Sequence, residues 1–431
     1  MIVRRSAAVL AVTALIGGAT APAALADDAS PSASPSRAFP SALYGSTIPT
    51  YDGVWRQSLA LLAQHTEGVR PAAKAVDWLT GQQCASGAFA PYRADASAKC
   101  DAKTMVDTNN TAAAVQALAA LGGHDAETGR AVRWLKSAQN KDGGWGYTAG
   151  GASDANSTSV VIGALAAAGD EPKKQVKNGK SPYDALLALA VPCDEKGGGA
   201  FAFQPDKKGA LAANADATAA GVVGSLGKGF VIEAAGKASK GSAESKGSGD
   251  SKGSGDSKGS ACASGDSFTP ADAAHNGASY LAATLAKTPY LKSAMPGAKP
   301  QPDYGNTADA VVALAAAGST SATARPLAWL EKNSGVWAAK AGPAAYAQLI
   351  FAARAAGAQP RDFGGVDLVE KLGATGPAAQ KSSRDSATPA PDAKRVDHKS
   401  AFNVWWLVGV CLVAGIGIGF LLSRRNKRQQ L

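Results

Sequence analysis

The sequence predicts an all-α fold of tandem helical hairpins, and a four-fold internal repeat is the main observation behind it. Thr111, Thr158, Thr218 and Thr307 align as equivalent positions. Four residues before each stands Asp107, Asp154, Asn214 or Asp303, and four after stands Val115, Ile162, Val222 or Val311. Seven after come Leu118, Leu165, Ser225 and Leu314, and eleven after come Gly122, Gly169, Gly229 and Gly318. Positions i, i+4 and i+7 share one face of an α-helix, so each copy reads as an amphipathic helix. The leading Asp or Asn can cap the free N–H groups of the first turn, and the trailing Gly suits a left-handed helix end. Alanine fills most remaining positions, favouring helix and allowing close helix approach.

A second repeated element precedes these helices. Trp78-Leu79 is followed by Gln83, Gly87 and Phe89, and Trp134-Leu135 by Gln139, Gly143 and Trp145, at identical offsets. Weaker copies keep Gly199-Ala200-Phe201, or Trp329-Leu330 with Gly335-Val336-Trp337. Each unit therefore reads as helix, Gly-aromatic loop, capped helix. Five units are expected, the fifth spanning Arg325 to Gly357, with partial end helices at Trp55–Gln64 and Val366–Leu372. Paired helices bury their apolar faces by stacking on neighbours, which leads to an open solenoid or a closed ring. Residues 50–375 are long enough to close one, with 237–266 as a flexible Gly/Ser/Lys insertion carrying the unit Ser-Lys-Gly-Ser-Gly-Asp.

The ends of the chain point to export. Arg4 and Arg5, the uncharged stretch Ala7–Ala19 and Ala24-Leu25-Ala26 match the three parts of a signal peptide, with cleavage expected after residue 26. The paired arginines leave the general secretory and twin-arginine routes both open. Residues 27–49 read as a disordered linker and 376–401 as a polar stalk. Phe402 to Leu422 is an uncharged apolar run of 21 residues, long enough to cross about 30 Å of hydrocarbon. Trp405 and Trp406 mark its outer interface, and Arg424, Arg425, Lys427 and Arg428 in the tail 423–431 hold that end in the cytoplasm. The expectation is a single-pass protein of the cytoplasmic membrane, displaying its helical domain outside.

The formal charge of +10 is concentrated at the ends of the chain. Arg4 and Arg5, the four basic tail residues and a two-charge excess in 377–401 leave only +2 for the helical region. No basic stripe interleaved with aromatics occurs, so nucleic acid is not an expected partner. Of five cysteines, Cys411 falls in the membrane run, and Cys84, Cys100, Cys193 and Cys262 suit two disulfides in an oxidising compartment. Pairing of neighbours is the simplest of three connectivities. The four histidines lie apart and no CxxC spacing exists, so no metal site is expected.

The segment WLKSAQNKDGGWGY (Trp134 to Tyr147) resembles the QW motif of the squalene cyclase and prenyltransferase superfamily, and WLTGQQCASGAF is a degenerate copy. The resemblance covers roughly residues 50–375 and implies an α/α toroid of five to six hairpins around a central cavity. It also implies structural roles for Gln83, Phe89, Gln139 and Trp145. The motif does not specify activity, because the superfamily includes terpene cyclases, protein prenyltransferases, thioester proteins and cobalamin carriers. The cyclases' DxDD, the magnesium-binding DDxxD, the prenyltransferase zinc set and the thioester sequence are all missing; the one Asp-Asp pair is Asp27-Asp28. Neither a catalytic residue nor a cofactor is therefore assigned.

Binding is the expectation that remains. Asp107, Asn109, Asn110, Asp154, Asn156, Asp216, Asp303 and Asn306 fall at helix starts, on one end of a ring if it closes, with Tyr147 and Tyr304 beside them. Such a rim can hydrogen-bond a polar ligand, although each Asp or Asn also fits a plain capping role worth about 1 kcal/mol. The superfamily's cobalamin carriers are exported, non-catalytic and disulfide-bonded. By resemblance, the chain is expected to capture a corrinoid or similar nutrient for a transporter. Those carriers close over the ligand with a β-rich domain that does not follow residue 375, so a partner chain would supply it. The alternatives are a surface-bound terpenoid-cyclase-like or lyase-like enzyme, and a protein-interaction scaffold.

Overall fold

The computed structural model describes residues 40–234, 262–265, 267–293 and 299–380. The expected signal peptide, membrane run and tail lie outside them, as do most of the insertion and the stalk beyond 380. Among the described residues no helix is long and apolar enough to cross a membrane. About half of the described residues are α-helical.

The chain runs through α1 (Gly53–Thr66), α2 (Ala73–Gly81), α3 (Thr108–Leu121), α4 (Asp125–Ala138), α5 (Ala155–Ala167) and α6 (Pro182–Leu187). A two-residue hairpin, β1 (Phe201–Ala202) with β2 (Ala213–Asn214), leads into α7 (Ala215–Ser225) and α8 (Pro270–Lys287). A second hairpin, β3 (Leu291–Lys292) with β4 (Pro302–Asp303), leads into α9 (Tyr304–Ala316). The helices α10 (Ala324–Asn333), α11 (Gly335–Ala341), α12 (Pro343–Ala355) and α13 (Leu368–Gly373) complete it.

Burial divides the helices into two sets. Six are buried over most of their residues and pack in order: α1 on α3, α3 on α5, α5 on α7, α7 on α9, α9 on α12, and α12 on α1. The others each cover one of these: α2 on α1, α4 on α3, α6 on α5, α8 on α7, α10 on α9, and both α11 and α13 on α12. In α4 only Thr128, Ala131, Val132 and Leu135 are buried, the single stripe that a covering helix needs.

All four aligned threonines do the same work. Thr111, Thr158, Thr218 and Thr307 Oγ1 accept the backbone N–H of Phe89, Trp145, Phe201 and Leu291, at 2.9, 3.1, 2.9 and 3.0 Å. Each threonine thus clasps the preceding loop to its own helix, while the leading Asp107, Asp154, Asn214 and Asp303 accept from the first turn as N-caps. The glutamines tie loops to the next hairpin: Gln83 Nε2 donates to Gly87 O and Glu127 O, and Gln139 Nε2 to Gly143 O and Gln175 O. Gly87 and Gly143 have φ of +96° and +90°, and a Cβ at either would meet a backbone carbonyl oxygen of the neighbouring hairpin at 2.3 or 2.2 Å.

Several expectations are corrected. Gly335-Val336-Trp337 is no Gly-aromatic loop but the start of α11; the loop residue clasped by Thr307 is Leu291, where a leucine hides the repeat. Gly229 does not end α7: the helix stops at Ser225, and Gly227, with φ +67°, takes the left-handed position. The segment beyond then turns inward. Trp55–Gln64 lies within α1, a full helix of the inner set rather than a partial one. The 18-residue helix α8 lies outside the repeat; its signal is the capping box of Thr269 and Asp272 around Pro270.

The described ends of the chain meet. Tyr44, inside the stretch expected as linker, is fully buried, receives a Gln57 Oε1 contact at its backbone N–H (2.9 Å), and donates its hydroxyl to Gln64 Oε1 (3.0 Å). Gly45 N–H donates to Thr375 O at 2.8 Å. The disulfides are Cys84–Cys100 and Cys193–Cys262. The second ties Cys262, beyond the part of the insertion that lies outside the described residues, to Cys193, and the described residues belong to one unit.

Candidate functional site

Residues of α1, α3, α5, α7, α9 and α12 line a cavity of about 270 Å³. Its polar rim comes from the second residue of three of them, Asn109 in α3, Asn156 in α5 and Asp216 in α7, together with Asp309 of α9 and Gln348 of α12. Its floor is the chain after α7, which crosses beneath the helices as Lys228-Gly229-Phe230. Two glycines let it pass: a Cβ on Gly229 would meet Gln116 Oε1 at 2.3 Å, and a Cβ on Gly163 of α5 would meet the Gly229 Cα at 2.7 Å. Gln116, 4 % exposed, accepts the Phe230 N–H at 3.0 Å and donates to Val160 O at 3.2 Å. The Phe230 ring stands edge-on to Trp55 at 5.5 Å and parallel to Phe351 at 6.4 Å. The result is polar at one end and aromatic at the other.

The rim is linked by hydrogen bonds between helices. Asn156 Nδ2 donates to Asp216 Oδ2 at 2.8 Å, and Gln348 Nε2 donates to Asp309 Oδ2 at 3.1 Å. Burial raises Asp309 to about 7, helped by the Asp216 and Asp303 charges and opposed by the Gln348 bond. Burial likewise raises Asp216, against the Asn156 bond, with the Asp303 and Asp154 charges adding to the rise. Among the described residues, Asn109 Oδ1, Asn156 Oδ1 and Ser159 Oγ have no hydrogen-bond partner although each atom is buried.

Of the ten residues expected to touch ligand, Asn109, Asn156 and Asp216 line the cavity. The others do not line it. Asp107, fully buried, accepts from Asn110 N–H at 2.7 Å and from Asn110 Nδ2 at 2.8 Å; Asp303 and Asn306 repeat this pairing at 3.0 Å for both bonds. Asp154 Oδ1 accepts the Ser157 N–H at 2.6 Å. Burial lifts Asp107 to about 6 despite these bonds, and it raises Tyr147 beside it, which the Asp107 charge raises further. Tyr304 stacks on Trp329 and Trp337 at 5.0 and 5.4 Å.

The residues missed were Asp309, Gln348, Ser159 and the aromatic floor. One of them had a signal. Asp309 stands two after its aligned threonine, where the other copies carry Ala113, Val160 and Ala220. An acid in an apolar repeat position is the anomaly to look for. No group of three or more potential metal ligands occurs among the described residues. Neither protein-family models nor curated proteins match the chain.

Proposed function

We propose that this chain is a membrane-anchored extracytoplasmic protein that binds a small molecule in the central cavity of an α/α toroid similar to that of the squalene cyclase and prenyltransferase superfamily. The packing order of the inner helices, with α12 returning to α1, supports the ring. The observation that carries the binding reading is the cavity itself, which draws residues from six helices and holds buried polar atoms without partners at its rim. Such atoms cost about 1–3 kcal/mol each when left unmade, so a fold retains them where a ligand meets them. The apolar run at Phe402 to Leu422 supports the anchor.

The corrinoid reading requires an arrangement over the rim. A void near the low end of the usual range for ligand pockets, about 300–1,000 Å³, admits only a small group of a corrinoid. A separate β-rich partner chain would then cover the remainder, with a transporter as recipient. Titrating cobalamin into the full-length protein in detergent, following its visible absorbance, tests this; no change at tens of micromolar removes the corrinoid. Protease digestion of the domain in intact spheroplasts tests the location, and protection there removes the outward orientation.

One observation favours a second reading. Asp309, raised to about 7 in a cavity floored by aromatic rings, is a carboxyl that holds its proton up to near neutral pH. That is the requirement for acid chemistry of the terpenoid-cyclase or lyase kind, although no DxDD surrounds it. Incubation with squalene and prenyl diphosphates, with product analysis of wild type and Asp309→Asn, decides it. Product from wild type alone would make the chain an enzyme.

A further inference from the structure

The chemistry of the cavity narrows the ligand class, and the inference here rests on the binding reading above. The rim presents two carboxylates, Asp216 and Asp309, and the amide oxygens of Asn109 and Asn156, which have no partner among the described residues. Ser159, 5 % exposed, lines the same cavity with its hydroxyl unpartnered. This is an acceptor-rich surface whose two acidic groups outnumber its one basic side chain among the described residues. Lys228 is the one cationic side chain lining the cavity among the described residues, and its ammonium donates to Ala316 O at 2.9 Å, on the floor. The partial positive charge at the starts of α3, α5 and α9 is met by the carboxylates of Asp107, Asp154 and Asp303.

We infer that the cavity takes a small organic cation, with an ammonium group held between Asp216, Asp309 and the free amide oxygens of Asn109 and Asn156, and an apolar body resting on Trp55, Phe230 and Phe351. A primary ammonium has three donors and no acceptor, which complements these oxygens. Charge-assisted bonds are the stronger kind, and the aromatic faces attract a cation as well as its apolar frame. An anion would meet the acidic pair Asp216 and Asp309, with Lys228 alone to offset it among the described lining residues. No group of three or more His, Cys, Asp or Glu side chains that could hold a metal occurs among the described residues. The volume of about 270 Å³ suits a monoamine.

The test uses the full-length protein in detergent micelles, with calorimetry against phenethylamine, its neutral analogue 2-phenylethanol and the anionic 3-phenylpropionate. Phenethylamine is expected to bind with a Kd at least about tenfold below either analogue. Asp309→Asn and Asp216→Asn should each raise its Kd by about tenfold while leaving the alcohol within about twofold. Asn keeps the shape of Asp, and circular dichroism confirms that each variant folds. Should Asp216→Asn unfold by losing its Asn156 bond, Asp309→Asn alone decides. If the alcohol or the carboxylate binds as tightly as the amine, the cation inference is overturned and the ligand cavity stands. If none of the three binds, the cation inference falls, and the cobalamin titration alone decides the ligand cavity.

Discussion

Asn156 Nδ2 donates a 2.8 Å hydrogen bond to Asp216 Oδ2, joining α5 to α7 across 60 residues of sequence at the cavity rim. The bond opposes the rise that burial, and then the Asp303 and Asp154 charges, impose on the Asp216 carboxyl. Replacing Asn156 with Leu leaves that carboxylate without its donor. We expect a loss of about 1–3 kcal/mol, read as a lower denaturation midpoint at pH 7.5. Asn156→Asp should be worse at that pH and recover in acid, because it sets two carboxylates together.

The threonine clasps predict a uniform mutational response. Thr111→Val, Thr158→Val, Thr218→Val and Thr307→Val each keep the side chain's shape but orphan a backbone N–H, three of which belong to fully buried aromatics. Each should cost about 1–3 kcal/mol, and serine at the same place should restore most of it. Urea unfolding of the four variants checks this. A valine tolerated at Thr307 alone would mean that the clasp on Leu291 differs from the rest.

Stability should fall as pH rises from 5 to 8. Asp309 has a folded value of about 7 and Asp107 of about 6, both above the ordinary 3.8. The folded state therefore keeps protons that the unfolded chain releases. Their contribution is complete below the ordinary value and is lost as pH rises through about 6 and then about 7. Asp309→Asn should raise the melting temperature at pH 8 by a few degrees, about 2–4 °C per kcal/mol in mid-sized domains, and change it little at pH 5. An equal effect at both would show that the carboxyl is not raised.

The floor of the cavity can be moved from behind. Gly163→Val would drive Gly229 away from α5, since even a single Cβ there reaches 2.7 Å from it. Phe230 moves with it and parts from Trp55. The expected result is a shifted and more quenchable tryptophan emission, with weakened binding of any cavity ligand. An unchanged emission would place the floor elsewhere.

The two disulfides should differ in worth. Cys193–Cys262 closes 69 residues of chain and Cys84–Cys100 closes 16. By loop-closure entropy, removing them as Cys→Ser pairs costs roughly 4 and 3 kcal/mol. Thermal melts of the two double variants test the order.

What could be read in advance was local. Cap, threonine, apolar face and terminal glycine recur within one helical copy, so the α3, α5, α7 and α9 helices and their N-caps were legible from spacing. The copy around Thr307 was half hidden because Leu291 replaces the aromatic, and α8 lay outside the repeat altogether. Among the acidic and amide residues at the helix starts, spacing alone did not separate Asp107, turned to its own first turn, from Asp216 two positions along its helix, turned to the cavity.

That separation belongs to the tertiary structure. A helix's own sequence sets where its turns begin and which stripe is apolar, because hydrogen bonding and side-chain period act within a few residues. Which polar position faces a shared interior depends on the rotation of each helix against its neighbours. That rotation is decided by packing between residues as far apart as Trp55, Phe230 and Phe351. The sequence alone therefore determined the helices and their caps, and only the folded chain brought Asn109, Asn156, Asp216 and Asp309 to one cavity.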